Sequence, residues 1–153
     1  MIYLDSSALM KLVRQEEETE ALRSWLTQRP EQPMVTSELG RVEVLRAARR
    51  IDGRALAEAR AVLGDVDLVP LRGAVLDLAS DIGQPLVRTL DALHLASAIL
   101  LSNELTAFVS YDHRLAAAAE AAGLCVATPG QVIGQPAKGA HGGPARPGAT
   151  ERS

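Results

Sequence analysis

The chain opens with IYLDSSAL, residues 2–9, and this stretch decides the fold. Three apolar residues end at Asp5, and a helical pattern of apolar residues then runs from Ala8 to Val13. The pattern predicts a buried strand that stops at an acid, followed by a helix with a serine cap at its start.

Apolar runs and helical patterns alternate along the rest of the chain. Further strands are predicted at residues 34–36, 67–71, 107–111 and 124–126, with helices between them. Each predicted strand is apolar on both faces, which is typical of a parallel sheet with helices on both sides. We therefore predict an α/β fold of three layers, α/β/α, with a central parallel sheet of about five strands.

The composition indicates a single domain followed by a tail. The chain has 153 residues, of which 47% are hydrophobic. A chain of this length can form one hydrophobic core without stabilising disulfides or metal ions. From residue 134 onward Pro and Gly accumulate without large apolar side chains, so packing cannot offset the entropy of ordering. We predict a domain over residues 1–133 and a disordered tail over residues 134–153.

Charge and residue usage exclude several classes of function. There are 16 Lys plus Arg and 19 Asp plus Glu, a formal charge of −3, so the chain does not hold nucleic acid by bulk charge. Aromatic residues make up only 3%, which argues against a base-stacking platform. The single cysteine, Cys125, rules out an internal disulfide and a thiolate zinc site. With no apparent signal peptide or membrane span, we predict a cytoplasmic protein that does not bind membranes.

Four acids occupy positions that call for an explanation. Asp5 follows the first predicted strand and Asp112 follows the fourth, while Glu43 and Asp91 lie on helices between apolar neighbours. In parallel sheets, ligands bind beyond the carboxyl ends of the strands, where the chain order reverses. An acid among core residues is costly to bury unless it is hydrogen-bonded, paired or bound to a metal.

Each acid also has an ordinary structural interpretation. Asp5 and Asp112 can cap the helices that follow them, and Asp91 can stabilise the first turn of its helix. Capping does not explain Glu43, which lies within its helix and would need an ion pair with Arg46 or Arg50.

If the four acids converge, they form a site made of oxygen ligands alone. Such a site suits Mg²⁺ or Mn²⁺ rather than zinc, and its natural chemistry is hydrolysis at phosphorus. A metal ion can lower the pKa of a bound water, and a second ion can neutralise the leaving oxygen.

Four segments resemble, in order, the motifs of PIN-domain ribonucleases, specifically the VapC toxins of bacterial toxin–antitoxin pairs. They are residues 2–9, the helix RVEVLRA at 41–47, the block LDALHLA at 90–96, and SYDHRL at 110–115. The resemblance covers about residues 1–133. It implies a metal-dependent endoribonuclease that is often dimeric and is held inactive by a small cognate antitoxin resembling VapB. The family's acidic residues correspond to Asp5, Glu43, Asp91 and Asp112, as catalytic and metal-binding groups.

Other polar residues have two interpretations each. Ser6 either supports the metal shell or a phosphate, or caps the first helix. His94 is a general base or a core histidine with satisfied hydrogen bonds, and we favour the core role. Arg41 and Arg46 belong to a basic group on one helix, and we expect one or two of its members to contact RNA phosphates.

Two other classes of function compete with a nuclease. A PIN-like domain without catalysis would serve as a protein-binding module, but such loss usually removes an acid, and all four are present. A receiver-like phospho-switch has a similar acidic Mg²⁺ pocket. It usually carries a lysine near the last strand, whereas this chain has none between Lys11 and Lys138.

Overall fold

The structure, a computed structural model, describes residues 1–83 and 87–131. Within these ranges five short strands form one parallel sheet, as predicted. The strands are β1 (Ile2–Leu4), β2 (Met34–Ser37), β3 (Val66–Val69), β4 (Ala107–Val109) and β5 (Val126–Ala127). Their order across the sheet is β3-β2-β1-β4-β5. The tail predicted over residues 134–153 lies outside the described residues.

Helices cover both faces of the sheet. In the described ranges they are α1 (Ser6–Val13), α2 (Thr19–Thr27), α3 (Glu38–Ile51), α4 (Gly53–Gly64), α5 (Gly73–Asp81), α6 (Thr89–Ile99) and α7 (His113–Ala121). The longest of them, α3, has 14 residues. No helix in the described part of the chain is long and apolar enough to cross a membrane.

Side chains of the central strand, β1, point alternately into two hydrophobic cores. Ile2 and Leu4 pack on one face with residues of α1 to α4, whereas Tyr3 packs on the other face with residues of α6 and α7. Successive side chains of a strand point to opposite faces, so one three-residue strand contributes to both cores. The three-layer α/β/α prediction is thereby confirmed.

The order of the strands reverses between β1 and β4. From β1 the chain moves outward through β2 and β3, then returns to place β4 on the other side of β1. Such a reversal leaves a crevice beyond the carboxyl ends of the two strands. Receivers have the order 2-1-3-4-5, so the receiver-like interpretation is wrong.

The helix after β1 begins differently from the prediction. The N-cap of α1 is Asp5, not a serine, because Asp5 has an extended backbone and its carboxylate accepts a hydrogen bond from the amide of Ala8. Ser6 is already the first helical residue, which leaves its hydroxyl available for the crevice. The acid that ends the strand therefore also starts the helix.

Candidate active site

Asp5 lies buried at the reversal point and is only 1% exposed. Its Oδ1 accepts hydrogen bonds from the Ser7 hydroxyl at 2.7 Å and the Ala8 amide at 2.8 Å. Its Oδ2 accepts one from the Ser110 hydroxyl at 2.6 Å. Burial raises the pKa of Asp5 above its usual value, and these hydrogen bonds offset the rise only in part. A buried carboxylate of this kind is stabilised by any cation that reaches it.

Glu43 lies on α3 and contacts the ring of His94. Its Oε2 is 2.9 Å from Nε2 of His94. Burial alone would raise the pKa of Glu43, but the hydrogen bonds from His94 and Ser6 outweigh it and lower that pKa. The ion pair with Arg46 or Arg50 that an ordinary structural role would need is not among the contacts of the described residues, because the partner of Glu43 comes from α6 rather than from the same helix.

Asp91 and Asp112 are joined by one arginine. Oδ2 of Asp91 is 3.2 Å from Nε and 3.1 Å from Nη2 of Arg114, and it also accepts from the amide of Arg88. Oδ1 of Asp112 caps α7 by accepting from the amides of Arg114 and Leu115, while its Oδ2 lies 3.8 Å from Nη2 of Arg114. The ordinary capping roles are thus observed. They do not exhaust either carboxylate, which offers about four lone-pair sites.

Hydrogen bonds connect three of the acids into one network. The Ser110 hydroxyl donates to Asp5 and accepts from the backbone amide of Asp112 at 3.1 Å. Arg114 then links Asp112 to Asp91. Elements distant in sequence, namely β1, the end of β4 and the starts of α6 and α7, therefore meet at this edge of the sheet.

The donor chemistry of the four acids fits a hard divalent cation, since carboxylate oxygens are the ligands of Mg²⁺ and Mn²⁺. In residues 1–83 and 87–131, however, no three His, Cys, Asp or Glu side chains converge into a preformed metal site. The charge of Asp91 is instead balanced by the guanidinium of Arg114. Metal binding by Asp5, Glu43, Asp91 and Asp112 stays a prediction.

A cleft of about 470 Å³ opens between the starts of α1 and α6 and one face of α3. It contains Glu43 together with two cations, Arg46 and Arg50, which follow Glu43 on the same face of α3. Arg41 is exposed but is not among the residues that line this cleft. The full lining is Ser6, Ser7, Met10, Glu43, Arg46, Ala47, Arg50 and Leu90.

Sequence reasoning missed several side chains of the site. Ser110 follows β4 as Asp5 follows β1, so its position at the same sheet edge was a usable signal. The sequence indicated the role of Arg114 more weakly, only through its position two residues after Asp112. His94 is buried, as the core interpretation predicts, yet its contact with Glu43 across 51 residues has no local signature.

Comparison with known proteins identifies the family to which this chain belongs. The family described as PIN domain matches residues 2–121, which is most of the chain. The chain therefore belongs to the PIN domain family.

Close relatives within that family carry ribonuclease names. The chain is 47% identical over 135 residues to Ribonuclease VapC47 of Mycobacterium tuberculosis, covering 86% of this chain and 99% of the relative. It is 43% identical over 133 residues to Ribonuclease VapC35 of the same species, covering 86% and 98%. The resemblance to VapC proteins read from the sequence is confirmed.

Solved structures share the fold at low sequence identity. FitAcB from Neisseria gonorrhoeae superposes with a TM-score of 0.68 at 17% identity, covering 86% of this chain and 100% of that chain. A toxin–antitoxin complex from Klebsiella pneumoniae gives a TM-score of 0.60 at 17% identity, covering 73% and 87%. At these identities the likeness establishes the three-layer fold.

Proposed function

We propose that this protein is a metal-dependent endoribonuclease that acts as the toxin of a toxin–antitoxin pair. The observation that carries the proposal is the buried carboxylate of Asp5 at the reversal point, networked to Asp112 and Asp91. Relatives named ribonuclease at 42–47% identity support the same activity.

Asp5, Glu43, Asp91 and Asp112 are the residues that would hold Mg²⁺ or Mn²⁺. When bound, the ion would act as a Lewis acid, lowering the pKa of a water and stabilising charge on a phosphoryl oxygen. The chain's own part is to keep Asp5 and Glu43 oriented by hydrogen bonds. Ser6, which lines the cleft beside Glu43, is proposed to support this site.

Arg46 and Arg50 are proposed to hold the RNA backbone in the cleft. Both line it on the same helical face as Glu43. Guanidinium groups bind phosphate oxygens as forked donors. Arg41, the other residue expected to bind phosphate, lies outside the lining and would contact RNA only beyond the cleft.

A small VapB-like antitoxin is the partner we propose. The structural neighbour described as a toxin–antitoxin complex supports it, and the acidic network offers a basic side chain of the antitoxin a complementary charge. We also propose that the protein forms a homodimer and is located in the cytoplasm, where it encounters cellular RNA.

RNA cleavage assays with a labelled, partly looped RNA test the activity. We expect cleavage by the purified protein with Mg²⁺ or Mn²⁺ and none in excess chelator. The Asp5→Asn variant, purified in parallel, controls for a contaminating nuclease because a contaminant would survive the substitution. Cleavage that persists in chelator, or in both preparations alike, contradicts the proposal.

A non-catalytic, protein-binding PIN module is the second candidate. The Arg114–Asp91 ion pair favours it, because a guanidinium already balances a carboxylate that the nuclease needs for metal. This candidate predicts antitoxin binding without any RNA cleavage and without Mn²⁺ binding in calorimetry. The nuclease predicts both.

A further inference from the structure

His94 forms a buried bridge between the sheet and Glu43. It is 2% exposed and lies on α6. Its Nδ1 is 2.8 Å from the hydroxyl of Tyr3 on β1, and its Nε2 is 2.9 Å from Oε2 of Glu43 on α3. One ring thus ties three elements of the fold together.

The directions of these hydrogen bonds follow from the chemistry of the groups. An ionised carboxylate only accepts, so Nε2–H of His94 donates to Glu43. In the neutral ring Nδ1 then carries a lone pair and accepts from the Tyr3 hydroxyl. A tyrosine hydroxyl keeps its proton at neutral pH and can therefore donate this hydrogen bond. A single neutral tautomer satisfies both contacts.

The packing of α3 brings Glu43 within reach of this ring. Gly40 lies one turn before Glu43 on the same helical face. A Cβ at position 40 would collide with the hydroxyl of Thr36 and would lie 3.3 Å from Cε1 of His94. The missing side chain therefore permits the close approach of α3 to α6.

We propose that His94, oriented by Tyr3, is a positioning residue that fixes the orientation of the Glu43 carboxylate for binding a divalent cation. The inference rests on the proposed nuclease function and goes beyond it. The ring of His94 holds Oε2 of Glu43 by a hydrogen bond. His94 therefore leaves the other carboxylate oxygen, Oε1, available to bind the ion. Hydrogen bonds to carboxylate ligands set their orientation, and loss of such a partner typically costs about 10- to 100-fold in metal affinity or activity.

A purely structural role for His94, in which it only satisfies its own hydrogen bonds in the core, predicts different effects of substitution. Altering His94 would then change stability, but not the binding of metal. The two roles therefore separate when metal affinity and stability are measured on the same variants.

The central variant is Tyr3→Phe, which removes one hydroxyl and keeps the ring stacked on Phe108 at a centroid distance of 5.2 Å. The matched control is Tyr111→Phe, because the hydroxyl of Tyr111 also donates at 2.8 Å, but to the carbonyl of Pro129. His94→Leu removes the donor to Glu43, and His94→Gln restores an amide donor as the conservative replacement.

Mn²⁺ affinity is measured by calorimetry, RNA affinity in chelator by fluorescence anisotropy, and kcat and KM by cleavage. We expect Tyr3→Phe to weaken Mn²⁺ binding and lower kcat by about 10-fold, and His94→Leu by up to about 100-fold. RNA affinity in chelator should not change, and His94→Gln should recover part of the loss. Tyr111→Phe should match wild type in Mn²⁺ affinity and in kcat.

Three outcomes overturn the inference. In the first, Tyr3→Phe and His94→Leu bind Mn²⁺ as wild type does while wild type cleaves RNA, so only the positioning role fails. In the second, Tyr111→Phe loses as much Mn²⁺ affinity as Tyr3→Phe. In the third, wild type binds no Mn²⁺ and cleaves no RNA, in which case the proposed function fails together with the inference. Should His94→Leu not fold, Tyr3→Phe compared with Tyr111→Phe still decides the matter.

Discussion

At the scale of single residues, two acids of the network are stabilised in opposite ways. Asp5 is buried and accepts only from neutral donors, whereas Asp91 is paired with the cation of Arg114. The sequence suggests a site made of acidic side chains alone, but it does not predict the compensating arginine. The consequence is that neutralising each acid has a different effect on stability.

Asp5→Asn is expected to stabilise the protein in chelator and to abolish RNA cleavage. The substitution removes a buried charge but keeps an oxygen that can accept from Ala8. We expect a gain on the order of 1 kcal/mol, because the cost of burying a charge is removed while the cap to α1 is kept. Asp52→Asn is the matched control, since Asp52 also caps a helix, by accepting from Ala55 at 2.7 Å, but is exposed. Thermal melts in chelator that show no gain for Asp5→Asn over Asp52→Asn contradict the prediction.

The gain from Asp5→Asn depends on pH in a defined direction. The pKa of Asp5 is raised in the folded state, so the protonated form is favoured there. Stability linked to this group is fully present below the ordinary pKa of an aspartic acid and is lost as pH rises through the raised value. Denaturant unfolding across pH should therefore show wild type and Asp5→Asn converging at acidic pH and separating toward neutral pH. A difference that is constant with pH would assign the effect to packing instead.

Asp91→Asn should destabilise the protein in chelator. The substitution removes the partner of Arg114 and weakens the acceptor for the Arg88 amide at the start of α6. The loss is expected to be on the order of 1 kcal/mol. Thermal melts of Asp91→Asn and Asp5→Asn in chelator check whether the two substitutions change stability in opposite directions. A rise in the melting temperature for Asp91→Asn would mean that repulsion among the acids outweighs the ion pair.

At the scale of elements, periodicity was sufficient to locate the strands and helices, while contacts between them set the details of the site. The helix after β2 was predicted with Val42 and Ala48 on its apolar face, but in the structure it buries Val44 with Ala48 and leaves Val42 exposed. That apolar pattern does not reveal that Glu43, Arg46 and Arg50, on the neighbouring side of the helix, face a cleft. Only the packing of α1 and α6 against α3 defines which polar residues are enclosed.

The cleft face of α3 predicts different effects for two adjacent arginines. Arg50 lines the cleft with Glu43, whereas Arg49 lies on a separate groove between α3 and α4. Arg50→Gln should weaken RNA binding in chelator and reduce the slope of log affinity against log salt by about 0.7, the value for one phosphate contact on a single strand. Arg49→Gln has the same charge change and should leave the slope unaltered. Equal slopes for the two variants would place the RNA outside this cleft.

At the scale of the whole molecule, the sequence was sufficient for the layered fold and for the edge of the sheet at which Asp5, Asp91 and Asp112 are linked. Both follow from local signals, namely apolar strands that end in acids and helices with apolar faces. The bridge from Tyr3 through His94 to Glu43 spans three elements, and its geometry depends on the close approach allowed at Gly40. Such long-range contacts have no periodicity to detect.

The segment from residue 135 to residue 153 is expected to be dispensable for the folded domain. It contains no Leu, Ile, Val, Met, Phe, Trp or Tyr, so it offers no large apolar side chain for burial. A truncation after Gly134 should keep the melting temperature and the RNA cleavage rate of the full chain. The segment carries Lys138, Arg146 and Arg152 against Glu151, so RNA affinity is measured as well. A lower melting temperature would show that the segment packs on the domain, and a weaker, less salt-dependent RNA affinity would show that its cations contact phosphate.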